Sequence, residues 1–273
     1  MKTKEISLEE DKKIGLTTLL YFSDFCEKNG LNYFLGYGSL IGAIRHKGFI
    51  PWDDDIDVWM PREDYDQLIS LASRIDNSYY KLNSIETNSH FLIPFAKLTR
   101  IDTVLLPSRF VTGYLYGVSI DIFPLDVIGD IESEDAARSV YLKLRNQSIK
   151  IINKYHHYTG GVELRGFKKN LKTVNYNYMT KVHGDLSKHM KNYAHTLPDY
   201  FKSKKGDYVA TIAGETIFKK EWFDKVIYVQ FENHEFRAPE QYDIVLRRRY
   251  GDYMKFPPEE ERTIPHKFSA YYI

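Results

Sequence analysis

The chain has 273 residues, a mass of 32.1 kDa, 43% apolar and 27% charged residues, a composition typical of a globular protein with one large or two small domains. Its 38 basic and 37 acidic side chains leave a net charge of +1, so no overall field attracts it to nucleic acid and we expect no nucleic-acid partner. The single cysteine, Cys26, excludes an intramolecular disulfide, and without a signal peptide or a run of roughly 20 apolar residues we expect a cytoplasmic protein.

The first part of the chain predicts three helices separated by short strands. A capping box at Ser7 begins the first helix, and Asn29-Gly30 ends it. Cys26 lies on the apolar stripe of this helix, where we expect a packed thiol rather than a nucleophile. The next predicted elements are a strand at 32–35, a glycine turn at 36–39, a brief helix at 40–45, a strand at 56–60, and a helix with Pro61 in its first position.

The rest of the chain predicts more strands, one long helix and a closing helix. Strands are expected at 79–83, 93–99, 103–106 and 118–123. From Ile131 the apolar period changes to 3.6 residues, which predicts a long amphipathic helix. Two strands at 226–229 and 235–238 and a helix at 240–249 follow. We therefore expect the α/β (α+β) class, with a mixed sheet and flanking helices.

Residues 154–205 form the one strongly basic stretch. They hold eleven Lys or Arg against three acids, with aromatic residues between them. This pattern is typical of a solvated helical surface, or of a docking surface for an anionic acceptor or lipid membrane. The five histidines in the stretch have no metal-ligand spacing.

Four carboxylates lie within five positions in the run Asp53-Asp54-Asp55-Ile56-Asp57. They repel one another unless cations or hydrogen-bond donors compensate their charge. If the run enters a strand, alternation places Asp53, Asp55 and Asp57 on one face and Asp54 on the other. An all-oxygen set of this kind suits Mg²⁺ or Mn²⁺ rather than zinc, and the alternative is an acidic surface turn.

Two further features accompany the acidic run. Asp121 is the one carboxylate in the apolar strand sequence Ile120-Asp121-Ile122. It is either a buried structural group or a site residue that faces the first acids. Gly38-Ser39 lies between a strand and a helix, where backbone N–H groups can hold a phosphate, although ordinary turns also use this pair.

The order of strand, Gly-Ser turn, helix, Asp-x-Asp strand and later acid resembles the nucleotidyltransferase superfamily core. The strings GYGSLIGAIRHKGFIPWDDDIDVWMPREDYDQL, FAKLTR, GVSIDIFPLD and YGDYMKFPPEEER resemble the LicD family of phosphocholine transferases, over residues 32–126 and again over 250–266. The resemblance implies one catalytic unit over residues 1–273. It comprises a nucleotidyltransferase-like core at 30–127, a helical basic segment at 131–205, and C-terminal strands and a helix at 206–273.

The resemblance also implies roles for individual residues. Asp55 and Asp57 match the family's metal-binding pair, and Asp121 matches its third carboxylate, which acts as base, metal ligand or both. Asp53 stands in the same motif and assists through a water. The implied substrate contacts are Gly38 and Ser39 in a phosphate-holding turn, Arg45 and Lys97 beside the donor diphosphate, Trp52, and His266 near the C-terminal end.

The implied reaction is Mg²⁺- or Mn²⁺-dependent transfer of phosphocholine, or a similar phospho-alcohol, from a CDP-activated donor. The acceptor is a hydroxyl of a cell-surface glycan or its lipid-linked precursor, CMP is released, and the protein works in the cytoplasm or at the inner face of the membrane. A quaternary ammonium group favours an aromatic cage, for which Trp52 and Tyr37 are placed by sequence. The alternatives are a nucleotidyltransferase that releases pyrophosphate and a non-catalytic glycan-binding module.

Overall fold

A seven-stranded mixed sheet forms the centre of the computed structural model, which describes residues 4–107, 116–129, 131–159, 178–202, 205–263 and 268–273. Its main path runs β2 (Phe34–Leu35), β3 (Asp57–Pro61), β7 (Ser119–Ile128), β5 (Ala96–Arg100) and β4 (Tyr80–Asn83). The β3 and β7 strands are parallel, and the other neighbours are antiparallel. The far half of β7 pairs with β8 (Tyr208–Ala210), which pairs with β9 (Ile217–Lys219).

Two smaller sheets complete the strand pairing of the described residues. One joins β1 (Glu5–Ile6), β12 (Phe268–Tyr272) and β6 (Thr103–Pro107) in that order, and the other is the hairpin of β10 (Val226–Phe231) and β11 (His234–Pro239). The hairpin confirms the two strands predicted near residues 226 and 235. The short β8, β9 and β12 strands were not predicted.

Helix α1 (Leu8–Asn29) packs its apolar stripe into the core beside the central sheet. Its capping box joins Ser7 and Glu10, and Gly30 ends it with a φ of 66°. Leu19, Phe22 and Cys26 are fully buried, and burial raises the pKa of the Cys26 thiol, as expected for a packed cysteine.

The second helical segment begins earlier than the sequence predicts. Helix α2 (Tyr37–Ile41) starts inside the glycine turn and continues as a π-helical turn (Gly42–His46). The helix expected from Pro61 is divided at Leu71 into α3 (Arg62–Ser70) and α4 (Ala72–Ile75), and Pro61 itself ends β3. A proline in the last strand position favours a helix start directly after it, because its ring restricts φ and it has no N–H group to donate.

The remaining helices are α5 (Glu134–Thr159), α6 (Leu186–Ala194), α7 (Thr196–Phe201) and α8 (Tyr242–Tyr250), and residues 178–183 are also helical. Side chains from α5, α6 and α7 share a second core with residues 210–217. Mixed helices and a mixed sheet confirm the predicted α/β class. Among the described residues, no helix is both long and apolar enough to cross a membrane.

Candidate active site

Three charged residues stand in one row across three adjacent strands. Asp57 on β3 is in register with Asp121 on β7, and Asp121 is in register with Lys97 on β5. Residues opposite one another on neighbouring strands point to the same face. Ile120 and Ile122, on either side of Asp121, are fully buried. The Asp121 carboxylate therefore points to the opposite face of the strand from these two apolar side chains, as the sequence predicts.

Asp57 and Lys97 are buried and Asp121 is partly buried, and the charges of the row lie close enough to affect one another. Burial raises the pKa of Asp57 well above its usual range, and the neighbouring charges of Asp55, Asp121 and Asp53 raise it further. Burial opposes the charge of Lys97, but its ion pair with Asp121 outweighs burial and raises the lysine pKa. The charged form of Asp57 is therefore less favourable here than in an exposed carboxyl group, and a bound cation would stabilise it.

The first three acids of the run converge in the loop before β3. Asp53, Asp54 and Asp55 each have a carboxylate oxygen within 4.8 Å of the others, and all three are partly exposed. The prediction that alternation separates Asp54 from the other two is wrong, because residues 53–56 precede the strand and do not alternate. Such an all-oxygen group, together with the carboxyl groups of Asp57 and Asp121, fits the ligand preference of Mg²⁺ or Mn²⁺.

The glycine turn is joined to β3 by two hydrogen bonds. The Gly36 N–H donates to the Asp57 carbonyl at 2.8 Å, and the Asp57 N–H donates to Ser39 Oγ at 2.8 Å. A Cβ atom on Gly38 would lie 2.6 Å from Asp53 Oδ2, so only glycine leaves room for that carboxylate. The predicted phosphate-holding turn thus lies directly against the acidic loop.

Arg45 and Trp52 belong to a separate cationic and aromatic cluster. The Arg45 Nη1 donates to the Tyr253 carbonyl at 2.6 Å, and its guanidinium lies 4.7 Å from the Phe256 ring centroid. The Arg262 guanidinium lies 5.6 Å from the Trp52 ring centroid. Arg45 therefore fastens the C-terminal segment to the helical turn at residues 42–46. His266 lies outside the described residues.

Tyr37 is held by groups from the C-terminal half of the chain. Its hydroxyl is 2.6 Å from Thr211 Oγ1, and the Arg249 guanidinium lies 4.6 Å from its ring centroid. Its φ of 40° is unusual for a non-glycine residue. These contacts hold Tyr37 in the turn beside the site, with one ring face close to a cation.

A cavity of about 460 Å³ extends from the acidic site toward the N-terminal helix. Its lining includes Asp54, Asp55, Lys97 and Asp121 of the acidic site and Asp11 of α1. Burial, with the charge of Asp54 as the next contribution, raises the pKa of Asp11 to about 7. Sequence reasoning missed Asp11, although an acid three residues before the buried Ile14 of an amphipathic helix was a usable signal.

The same helix also holds the acidic loop in place. Lys12 Nζ donates to the carbonyl oxygens of Ile50 and Pro51 at 3.3 and 3.0 Å, and lies 5.3 Å from the Phe49 ring centroid. Since the loop leads directly into Asp53, the first turns of α1 are part of the framework of the site.

Comparisons with known proteins identify the family of the chain. Residues 30–116 match the sequence profile of a family described as LicD/FKTN/FKRP, nucleotidyltransferase domain. Over 279 aligned residues the chain is 32% identical to the lipopolysaccharide cholinephosphotransferase LicD of Haemophilus influenzae, with 99% of each chain covered. An uncharacterized protein of Rickettsia typhi is 36% identical over 64 residues, which is 23% of this chain and 21% of that protein. The nearly full-length similarity confirms the resemblance, and the chain belongs to the LicD family.

Proposed function

We propose that this chain transfers phosphocholine from CDP-choline to a sugar hydroxyl of a lipopolysaccharide-type or lipid-linked glycan and releases CMP. Membership of the LicD family makes the chain a transferase. The observation that carries the proposal is the row of Asp57, Asp121 and Lys97 beside the three-acid loop. The name of the H. influenzae relative supports phosphocholine as the transferred group and a glycan as the acceptor.

We assign the divalent metal, Mg²⁺ or Mn²⁺, to Asp55, Asp57 and Asp121, with Asp53 and Asp54 close enough to contribute an oxygen or hold a bound water. When bound, such a metal neutralises charge on a diphosphate and polarises its oxygens. The protein itself supplies a preorganised set of oxygens. Gly38 leaves space for one of them, and the Ser39 hydroxyl fixes the start of β3.

In the proposed reaction the acceptor hydroxyl oxygen forms a bond to the choline-bearing phosphorus. The bond between that phosphorus and the bridging oxygen breaks, and its electron pair leaves with CMP. Asp121 receives the hydroxyl proton, and Lys97 holds the Asp121 carboxylate in position through their ion pair. Gly38 and Ser39 remain our proposed contacts of the donor phosphates, and Lys97 remains the proposed cation beside those phosphates.

The basic segment is our candidate for contact with an anionic membrane or lipid carrier. In its described part the side chains of Lys181, Lys188 and Lys191 are exposed, and Tyr178 and Tyr200 are exposed at 61% and 59%. Lysines attract anionic lipid, and tyrosines favour the headgroup region. Residues 160–177 and 203–204 of the predicted surface lie outside the described residues.

A donor panel with analysis of the released nucleotide tests the proposed function. The purified chain is incubated with Mg²⁺, a deacylated glycan acceptor, and CDP-choline, CDP-ethanolamine, CDP-glycerol or CTP. We expect CMP from CDP-choline and a glycan heavier by one phosphocholine group. Release of pyrophosphate from CTP would instead support the nucleotidyltransferase alternative, and binding of glycan without any nucleotide product would support a binding module.

A further inference from the structure

Part of the cavity beside the acids is lined by residues that the proposed reaction does not yet use. These residues, which we call the far wall, come from β1, the first turn of α1, β6 and β12, and include Glu5, Ile6, Asp11, Leu105 and Ala270. A volume of about 460 Å³ lies within the range of small-molecule sites and exceeds the space that a metal ion needs. The cavity therefore has room for an organic group next to the metal ligands.

The charges around this cavity do not balance. Its described lining contains five acids, Glu5, Asp11, Asp54, Asp55 and Asp121, and one base, Lys97. Lys97 is already paired with Asp121, and a divalent ion beside Asp55 would leave Glu5 and Asp11 with no cation among the described lining residues. A cationic group at the far wall would offset this remaining charge.

Asp11 carries the most direct sign of a missing cation. Its Oδ1 atom is buried and has no hydrogen-bond partner among the described residues. The charge of the adjacent Lys12 opposes the rise in the Asp11 pKa, but Lys12 donates its hydrogen bonds to the Ile50 and Pro51 carbonyls and not to Asp11 Oδ1. A buried carboxylate oxygen without a donor is costly unless a positive charge lies nearby.

Most other side chains of the far wall are apolar. Ile6, Leu105, Val118 and Ala270 line it, and Glu5 and Ser269 are its other polar residues. A primary ammonium group needs hydrogen-bond acceptors for its three N–H groups, whereas a quaternary ammonium group has none and presents methyl groups. The far wall combines apolar side chains with a carboxylate oxygen that accepts no hydrogen bond. It therefore suits a quaternary ammonium group better than a primary one.

The aromatic residues that the sequence suggested as a cage are less suitable. Guanidinium groups lie 5.6 Å from the Trp52 ring centroid and 4.6 Å from the Tyr37 ring centroid. A second cation at either ring would meet repulsion from the arginine that is already there.

We propose that the far wall of this cavity, with Asp11 as the counter-charge and Ile6, Leu105 and Ala270 as apolar contacts, binds the quaternary ammonium group of the donor. The proposal rests on the proposed function and makes α1, which precedes the matched residues 30–116, part of donor selection. It places the cationic group and the phosphate of one phosphocholine group in the same cavity, with Lys97 beside the phosphate.

The test compares CDP-choline with its uncharged isostere, CDP-3,3-dimethylbutanol, in which carbon replaces the nitrogen. For Asp11→Asn we expect kcat/KM to fall about tenfold with CDP-choline and less than about twofold with the isostere, because only choline loses a charge interaction. Calorimetry should show the same difference: Asp11→Asn should raise the Kd of CDP-choline more than the Kd of the isostere. Glu9→Gln is the matched control, since Glu9 lies in the same helical turn but is exposed and paired with Lys13.

Leu105→Lys is a second variant that does not depend on Asp11. A lysine in the apolar wall should weaken CDP-choline more than the isostere through charge repulsion. Equal losses for both donors in both variants would overturn the inference and assign these residues to folding or metal binding. Absence of transfer from every CDP-alcohol by the unmodified chain would instead contradict the proposed function.

Discussion

Asp57 and Asp121 lie side by side in register on the parallel strands β3 and β7, and both point to the face that carries Lys97. Parallel strands are joined by a long crossover connection and not by a tight turn. Two side chains 64 residues apart in the sequence therefore lie side by side and form one site. This pairing stores repulsion in the metal-free protein that a bound cation would relieve.

Asp57→Asn should therefore separate stability from activity. Because burial and the charges of Asp55 and Asp121 raise the Asp57 pKa, an amide of the same shape should leave the metal-free melting temperature equal or higher. Transfer should fall more than about 100-fold, because the substitution removes an anionic ligand. Melting curves in EDTA measure the stability, and initial rates in Mg²⁺ measure the transfer. The control Asp66→Asn, at an exposed helical position, should change neither the melting temperature nor the rate. An Asp57→Asn variant with full activity would show that Asp57 is not a metal ligand.

Lys97→Met should destabilise the metal-free protein. It leaves Asp121 without its partner in a largely buried row, for which a loss of about 3 kcal/mol is typical. Added Mg²⁺ should recover part of that loss, since the cation replaces the missing charge. Urea unfolding with and without Mg²⁺ measures the effect. Lys28→Met removes an exposed pair with Asp24 and should cost less than about 0.5 kcal/mol; equal losses in the two variants would contradict the coupling.

The pH dependence of stability should report on Asp11. Burial and Asp54 raise its pKa to about 7 from an ordinary value of 3.8, with Lys12 opposing the shift. The folded chain therefore binds a proton more tightly than the unfolded chain, and this contribution to stability is lost as pH rises through about 7. In metal-free buffer, Asp11→Asn should gain about 2 kcal/mol relative to the unmodified chain between pH 5 and pH 8. A difference that does not change with pH would show that Asp11 keeps its ordinary pKa.

Gly38→Ala should weaken metal binding with little effect on the fold. The new methyl group would meet Asp53 Oδ2 at 2.6 Å and displace that carboxylate from the three-acid group. We expect Mn²⁺ affinity, measured by electron paramagnetic resonance, to fall about tenfold. Gly15→Ala is the control, because its methyl group would meet the Ile56 side chain at 3.3 Å and no carboxylate. Equal Mn²⁺ affinities in the two variants would contradict a role for Asp53.

The exposed lysines of the basic segment should bind anionic vesicles. Lys188→Glu combined with Lys191→Glu should reduce co-sedimentation with vesicles containing phosphatidylglycerol, and the binding of the unmodified chain should weaken as salt screens the charges. The matched control is Lys13→Glu with Lys28→Glu on α1, where the lysines are also exposed. Equal binding of the unmodified chain to neutral and anionic vesicles would contradict the proposal.

The sequence predicts the core of this fold well where local signals agree. The Ser7 capping box, the Gly30 end of α1 and the apolar residues around Asp121 each have a local physical cause. The convergence of Asp54 with Asp53 and Asp55 could not be predicted, because it depends on where a loop ends and β3 begins. The position of Asp11 at the cavity likewise depends on how α1 packs against strands that are distant in sequence.

The origin of the transferred phosphorus tests the central proposal most directly. CDP-choline labelled with ³²P in the choline-bearing phosphate and with ³H in choline is incubated with the chain, Mg²⁺ and glycan acceptor, and with Asp121→Asn in parallel. We predict that both labels enter the glycan in equal amounts, that unlabelled CMP is released, and that the variant transfers at least about 100-fold more slowly. Choline label in the glycan without phosphorus, phosphorus label in the released nucleotide, or full activity of Asp121→Asn would contradict the account.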